Sequence, residues 1–209
     1  MPNSSGLSGP LAQGLSMPMH LIGFGAFTSG VSYEAEATAL FARFSTDPGT
    51  TRKDAINTCI ASLKTAGVWS KLDCLYVFAA HNETDAKLNW IQDGDDLTEN
   101  GTVNFTTDVG FVASSGSTSD NLEGTRSLNS LTNFQQNSAH ISIWCTNIGG
   151  AFAASGMGAV SSPVSIFPMF SDNNIYLRVN DNPESGGFSI ATPEGHSLGN
   201  RSSSTARQG

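Results

Sequence analysis

The sequence holds few of the residue patterns that catalysis requires. It has no H-E-x-x-H metal motif and no glycine-rich loop followed by Lys and Ser or Thr, so two common signatures of hydrolases and nucleotide-binding proteins are missing. Glucanases that hold two carboxylates beside the glycosidic bond on one strand show the spacing E-x-D-x-x-E, which is also absent. The cysteines form no C-x-x-C pair and are predicted to be small buried thiols: Cys59, Cys74 and Cys145. We therefore expect a protein that is not an enzyme.

Three carboxylates stand close together in the sequence, at Asp93, Asp95 and Asp96. Hard oxygen ligands suit Ca²⁺, so these residues are the candidate metal site, and Ca²⁺ is the one cofactor that the sequence suggests. The match to an EF-hand loop is incomplete, because Leu97 stands at the fifth position, where that loop needs an oxygen ligand. The alternative is a solvated turn whose carboxylates bond to nearby backbone.

Aromatic side chains on predicted strands are candidates for a sugar-binding platform, because the flat rings offer an apolar surface to the apolar face of a pyranose. Alternation places Trp144 and Tyr176 opposite to the Ile, Leu and Val faces of their strands. Arg178 and Asn180 follow Tyr176 at two-residue steps, and together the four are the candidate glycan-binding residues. In the alternative interpretation, the rings pack beneath the helical part or against a neighbouring subunit.

The composition argues against two large classes of partner. Of the 209 residues only 13% are charged, and 10 Lys and Arg stand against 18 Asp and Glu, which gives a net charge of −8. No basic patch is available to contact phosphates, so we expect no nucleic-acid partner. No apolar run approaches the length of about 20 residues that crosses a bilayer. Residues 1–16 lack the basic and apolar regions of a signal peptide, so we expect no membrane partner either.

The chain divides into three parts by pattern. Residues 1–30 are rich in Gly, Ser, Pro and Met and are interpreted as an extended docking arm. Residues 31–97 carry apolar stripes at helical spacing and all four lysines of the chain, which predicts a small helical domain. Residues 98–209 alternate apolar and polar positions between turn signals, which predicts an antiparallel β-sandwich.

Within the helical domain, two amphipathic helices are predicted. The first is expected to be capped by Ser32, and the second to begin near Thr51 and end at Gly67. The apolar run 75–80 fits either a buried strand or a helix, and periodicity does not decide between them. A last short helical turn is predicted over 85–90.

Part of the sequence also resembles a known family of proteins. Residues 66–80 (AGVWSKLDCLYVFAA), followed by Leu88-Asn89-Trp90, resemble a recurrent segment of virion-associated phage and prophage proteins from alphaproteobacteria. The stretches 104–111 and 195–202 are also similar to that family, and the resemblance covers residues 32–209. In those proteins the C-terminal part is similar to a concanavalin-like, laminin-G-like jelly-roll sandwich. The resemblance therefore implies an α+β chain with a jelly-roll sandwich at its C-terminal end.

The predicted sandwich departs from the family in its length. Only about 70 of the 209 residues follow Ser138, fewer than a closed two-sheet sandwich usually contains. We therefore expect a sandwich that is incomplete at the C-terminus, or one that a partner completes. An exposed sheet edge of this kind would invite pairing with another subunit, so we expect a homo-oligomer.

The resemblance implies a structural protein of a phage-like particle, located in the virion as a tail, collar, baseplate or head-decoration component. Its N-terminal part would dock to other virion subunits, and its lectin-like sandwich would bind a host-surface glycan. A protein that cements neighbouring subunits without a ligand is the first alternative, and a glycan hydrolase is the second.

Overall fold

Helices occupy the first part of the chain and strands the rest, so the predicted α+β class is confirmed. The structure is a computed structural model. It describes residues 32–113, 120–127, 130–135, 137–146, 157–158, 164–167, 174–179, 185–189, 194–203 and 207–208. The predicted arm, residues 1–30, lies outside these ranges, and the domain boundary predicted between 97 and 98 stays a prediction.

The helical elements are α1 (Ala35–Phe41), α2 (Thr50–Thr65), a 3₁₀ turn (Trp69–Lys71) and α3 (Glu83–Ala86). The strands are β1 (Thr98–Asn100), β2 (Val103–Thr106), β3 (Gly110–Ala113), β4 (Asn121–Glu123), β5 (Ala139–Cys145), β6 (Met157–Gly158), β7 (Val164–Phe167), β8 (Asn174–Val179), β9 (Ser185–Ser189), β10 (Gly195–Arg201) and β11 (Arg207–Gln208).

α1 and α2 pack through the apolar stripes that the sequence predicts. Ala37 and Leu40 on α1 and Ile60 on α2 are fully buried, and Leu88 and Trp90 complete their cluster. Burying one such aliphatic side chain contributes about 1.5–3 kcal/mol, so this cluster holds the short helices together. None of the helices in the described ranges is long and apolar enough to span a bilayer.

The start of α1 differs from the prediction. Glu34 occupies the N-cap position, and no side chain caps the helix, so the predicted capping role of Ser32 is wrong. The backbone N–H of Glu34 instead donates to Oδ1 of Asn57 on α2, at 2.7 Å. The N–H of Glu34, which the side chain of a neighbouring residue was expected to bind, is therefore bound by a residue of α2.

The end of α2 is the predicted one. Gly67 adopts φ 65°, a left-handed conformation that glycine accepts without a steric cost. Its N–H bonds to the carbonyl of Lys64, and the N–H of Val68 bonds to that of Leu63, which is the Schellman arrangement. The predicted stop at Gly67 is confirmed.

The run 75–80 forms neither the helix nor the sheet strand that the sequence left open. It belongs to no helix and joins no ladder, and one side chain together with several backbone groups binds its backbone instead. The N–H of Leu75 donates to Oδ1 of Asn89 at 3.1 Å, and the Leu75 carbonyl accepts from the N–H of Trp90 at 2.9 Å. Because these partners lie elsewhere in the chain, the pattern of the run alone could not indicate its conformation.

The short helical turn predicted over 85–90 forms earlier, as α3. Asn82 stands at its N-cap, and its Oδ1 accepts a hydrogen bond from the N–H of Asp85 at 2.8 Å. This capping bond fixes the start of the turn, and the helix ends at Ala86.

The β2–β3 hairpin is fastened to the helical part at its turn. Asp108 adopts φ 62°, donates its N–H to the carbonyl of Ala80 at 3.0 Å, and forms an ion pair with Arg52 on α2. A Cβ at Gly110 would lie 3.1 Å from Cβ of Phe78, so glycine permits the close approach of the hairpin to the run 75–80.

All strand pairs in the described ranges are antiparallel, as predicted. Besides the two-stranded sheets β2–β3 and β1–β4, there is a three-stranded sheet in the order β11-β10-β5 and a four-stranded sheet in the order β6-β7-β8-β9. No closed barrel is formed by the strands that are described.

The two larger sheets share one apolar cluster. Its buried members come from β5, β7 and β8, and they are Ala139, Ile141, Val164, Ile166, Leu177 and Val179. On β10, Gly199 faces the same cluster, and a Cβ there would lie 3.0 Å from Cγ2 of Val179 and 3.4 Å from Cδ2 of Leu177. The absence of a side chain at Gly199 therefore sets how closely the two sheets approach.

We expect Gly199→Ala to lower the free energy of unfolding by about 1–3 kcal/mol, because the added methyl overpacks the contact with Val179. Chemical denaturation of both chains measures the difference. Gly124→Ala is the matched control, since the contacts of its Cβ would begin at an ordinary 3.5 Å. The cost at Gly199 should shrink in a Val179→Ala background, and a stabilising Gly199→Ala would contradict the packing argument.

Candidate functional site

The outer face of the three-stranded sheet carries the predicted residue Trp144. Ala139 and Ile141 on β5 point into the shared core, so alternation turns Trp144 to the opposite face, where 69% of its surface is exposed. The β5–β10 register places His196 directly across from it. The two rings lie 6.2 Å apart between centroids, with their planes tilted by 31°, so they form a continuous exposed aromatic surface.

A polar pair stands on the same face, further along the two strands. Nδ1 of His140 and Oδ1 of Asn200 are 2.6 Å apart, and the register places these residues opposite each other. The carbonyl oxygen of Asn200 accepts, so Nδ1 of His140 carries the hydrogen, and Nε2 of the ring remains for another partner. We call this surface the Trp144 face. It comprises six residues: His140, Ser142, Trp144, His196, Leu198 and Asn200.

None of the six side chains of the Trp144 face is a carboxylate or a lysine. The face combines exposed rings at one end with a hydrogen-bonding histidine and amide at the other. Four residues of strand separate the two ends, which corresponds to about 13 Å. This arrangement can bind a ligand that has both an apolar face and hydroxyl groups.

The other predicted glycan-binding residues do not join Trp144. Leu177 and Val179 on β8 point into the shared core, so Tyr176 and Arg178 point to the outer face of the four-stranded sheet, and both are half-buried. The two outer faces lie on opposite sides of the core. Asn180 lies outside the described residues.

The sequence contains one pattern that is typical of an enzyme, and the structure shows on which element it lies. Residues 195–199 read Gly-His-Ser-Leu-Gly, which matches the G-x-S-x-G pattern of serine hydrolases. In those enzymes the serine stands on a sharp turn between a strand and a helix. Here Ser197 is in the middle of β10, half-buried and paired with Ile143. The strand geometry does not form a nucleophile turn.

Two of the three predicted calcium ligands are bound by one arginine. Nη2 of Arg43 donates to Oδ1 of Asp96 at 2.5 Å, and its Nε lies 3.4 Å from Oδ1 of Asp93, which is largely exposed. The N–H of Asn89 also donates to Asp96, at 2.9 Å, and the Asn89 carbonyl accepts from Nη1 of Arg43 at 2.7 Å. These oxygens therefore have protein partners and a neighbouring positive charge.

The third predicted ligand, Asp95, is buried and faces different residues. Its carboxylate accepts hydrogen bonds from the thiol of Cys74 at 3.4 Å and the N–H of Arg126 at 3.2 Å. The hydroxyl of Tyr76 donates to the Asp95 carbonyl at 2.8 Å and lies 3.4 Å from the carboxylate. Burial is the main cause that raises the pKa of Cys74 to about 11 and also holds the pKa of Tyr76 well above its ordinary value. Both groups are therefore protonated donors at neutral pH.

The three carboxylates thus do not converge on one point that a cation could occupy. In the part of the chain that the structure describes, no three His, Cys, Asp or Glu side chains are grouped to hold a metal ion. The solvated-turn alternative describes Asp93 and Asp96, while Asp95 is an internal acceptor.

The prediction that all cysteines are buried is wrong in part. Cys145 is buried and Cys74 is half-buried, but Cys59 is exposed on α2. Desolvation by neighbouring side chains nevertheless raises the pKa of Cys59, so its thiol is less ionised than a free one. No low-pKa thiol of the kind that acts as a nucleophile is present among the three.

A concave site lies between α2 and the run 75–80. It encloses about 250 Å³ and is lined mainly by apolar side chains such as Phe44 and Trp90, with His81 and Asp85 among them. Nε2 of His81 lies 2.9 Å from Oδ2 of Asp85 and 3.0 Å from the carbonyl of Thr46. The other Asp85 oxygen accepts the N–H of Ser45 at 2.8 Å. These bonds fasten the loop after α1 to α3.

The described part of the chain thus carries an exposed face of aromatic and polar side chains. Comparison of the chain with protein-family models, curated proteins and solved structures finds no match.

We expect Arg43→Ala to lower the free energy of unfolding by about 2–3 kcal/mol, because it removes charge-assisted bonds to a partly buried carboxylate and a carbonyl. Lys53→Ala is the control, since its partner Asp47 is 70% exposed and such pairs contribute less than about 1 kcal/mol. Urea unfolding curves measure both variants, and equal losses would contradict the proposed role of Arg43.

We expect one fast-reacting thiol when the folded protein is treated with a disulfide reagent at pH 8. Because the pKa of Cys74 is about 11, roughly one thiol in a thousand is ionised there at that pH, whereas Cys59 is exposed. Release of the chromophore measures the count, and unfolding should expose all three thiols. Cys59→Ser should abolish the fast phase and Cys74→Ser should leave it unchanged; two or more fast thiols in the folded protein would refute the assignment.

Proposed function

We propose that this chain is a structural protein of a phage-like particle that binds a host-surface glycan through the Trp144 face. In this proposal the two larger sheets belong to a lectin-like, concanavalin-type jelly-roll sandwich displayed on the virion. The N-terminal part docks to other virion subunits. The proposal is supported by the shared core of two antiparallel sheets, by the resemblance of residues 66–90 to phage proteins and by the exposure of Trp144.

The exposure of Trp144 beside His196 is the observation that carries the proposal. An indole that is 69% exposed leaves a large apolar ring in water, so a ligand or partner that covers it gains the free energy of burying that area. A pyranose ring stacks on such a surface through its C–H face. The ring nitrogens of His140 and His196 and the amide of Asn200 then offer donors and acceptors for its hydroxyls.

The proposed site differs from the one that the sequence indicates. Trp144 stays, and His140, His196 and Asn200 take the polar role, because strand pairing places them on its face. Tyr176 and Arg178 are left out, since they lie on the opposite side of the core.

The glycan hydrolase alternative has less support. Hydrolysis of a glycosidic bond needs two carboxyl groups a few ångströms apart on either side of it. The Trp144 face carries no carboxylate among its six side chains.

The cementing alternative is favoured by a separate observation. Val109 and Val112 on the β2–β3 hairpin are 56% and 58% exposed, and exposed aliphatic side chains of this kind are often covered by a neighbouring subunit. A protein that only joins subunits would use this hairpin and Trp144 as contacts and would bind no sugar.

We expect Trp144→Ala to weaken binding to a host-cell polysaccharide by at least about 30-fold, because loss of a central aromatic contact typically costs 2 kcal/mol or more. The ligand is first selected on an array of bacterial polysaccharides, and titration calorimetry then measures the affinities. Tyr176→Ala is the matched control, because it removes a ring from the opposite face.

Each outcome of that experiment separates the candidate functions. Equal weakening by both variants would reject the Trp144 face as the site. Silence of the whole array, with retained binding to particles that lack the protein, would replace glycan binding by the cementing function. Release of shortened sugars would favour the hydrolase.

A further inference from the structure

β5 is an edge strand of unusual composition. It is seven residues long and lies at one end of the order β11-β10-β5. Its sequence, Ala-His-Ile-Ser-Ile-Trp-Cys, contains no Lys, Arg, Asp, Glu or Pro. Soluble proteins usually protect an edge of this length with a charged residue, a proline or a bulge, and β5 has neither of the first two and pairs with β10 without a register shift.

The edge of β5 that faces away from β10 is open in the described part of the structure. Every ladder bond of β5 is made with β10, and no residue from 139 to 145 has a further backbone partner among the described residues. About half of the backbone N–H and C=O groups of an antiparallel strand point to each of its sides. A row of donors and acceptors therefore has no partner among the described residues, and another strand would pair with all of them at once.

We propose that this edge pairs with β5 of a second copy of the chain, antiparallel and about a twofold axis that passes Ser142. In this register residue i of one copy stands opposite residue 284 − i of the other. Ala139 then faces Cys145, His140 faces Trp144, and Ile141 faces Ile143. All seven residues of the strand are used, and any other symmetric register uses fewer.

The faces of the two strands match in this register. Paired residues in an antiparallel ladder point to the same side of the sheet, and each pair above joins two core-facing or two outward-facing positions. Ile141 and Ile143 are β-branched and pack well across a ladder, and His140 beside Trp144 is a ring-on-ring pair. A twofold axis that passes between two residues would place a core-facing residue opposite an outward-facing one. The alternation of β5 therefore excludes that register.

The second copy is the occupant that the strand itself favours. The net charge of −8 on each chain opposes association at long range, but β5 contains no Lys, Arg, Asp or Glu, so none of these charges face each other across the contact. The self-complementary side-chain pairs further favour β5 over an unrelated strand. The product is a six-stranded sheet in the order β11-β10-β5-β5-β10-β11.

Pairing through the edge leaves the Trp144 face uncovered. The faces of the two copies become one surface, with both Trp144 rings close to the axis. The pairing itself does not depend on a sugar ligand; only its consequence, an extended glycan platform, rests on the proposed function.

Sedimentation of the full chain tests the proposal. We expect a species of twice the 21.9 kDa chain mass at micromolar concentration. Ser142→Lys sets two like charges opposite each other on the axis and should weaken the dimer by at least tenfold. Leu198→Lys is the matched control, because Leu198 stands across from Ser142 on β10, one strand further from the axis, and should leave the dimer intact.

A covalent readout covers the case in which a lysine variant fails to fold. In a Cys59→Ser background, mild oxidation should convert Ser142→Cys into a disulfide-linked dimer and leave Leu198→Cys monomeric. A monomeric unsubstituted chain would overturn the proposal. So would a dimer that Ser142→Lys leaves intact, equal dissociation by both lysine variants, or cross-linking of both cysteine variants. None of these results depends on glycan binding.

Discussion

Much of the chain between residues 72 and 134 depends on side-chain acceptors that bind the backbone of non-repetitive segments. Buried N–H groups outside helices and sheets need partners, and each unsatisfied one costs about 1–3 kcal/mol. Here the partners are carboxylate and amide oxygens. In the described ranges, the Asp and Asn side chains that accept one or more backbone N–H groups are Asp47, Asn57, Asp73, Asn82, Asp85, Asn89, Asp95, Asp96 and Asp120. The most heavily used is Asp73, which accepts from Thr132, Asn133 and Phe134.

This use of acidic residues explains why a cluster of them need not be a metal site. A carboxylate that accepts backbone N–H bonds has its oxygens oriented toward the chain, as Asp95 and Asp96 do. Arg43 then supplies a fixed positive charge beside Asp96, which opposes a bound cation. The acidic balance of the chain thus has a structural basis, at least for those Asp residues that hold segments together.

The sequence could predict what is determined within one element and not what depends on pairing between elements. The end of α2 follows from Gly67, and the outward position of Trp144 follows from alternation on β5. The residues that share the face of Trp144 do not follow from alternation on β5. His196 and Asn200 reach that face only through the register of β10, which lies 50 or more residues later in the chain. The run 75–80 is bound by Asn89, Trp90 and Asp108, and the N–H of Glu34 at the start of α1 by Asn57. Tyr176 shares the alternation of Trp144 but belongs to the other sheet, a distinction that no local pattern contains.

The need of backbone N–H and C=O groups for partners is met differently in the helical part and in the β part. In the first half, aspartate and asparagine side chains bind the irregular backbone, and the surface there is rich in ion pairs such as that of Lys64 with Glu34 and Glu36. In the β part there is no lysine to protect an edge, and β5 keeps one row of backbone groups without a described partner. A strand that displays an exposed indole on its face and an open ladder on its edge has two distinct contacts to offer. Because the edge lies in the plane of the sheet and the indole stands out from it, the proposed second strand and the proposed sugar would not compete for the same groups.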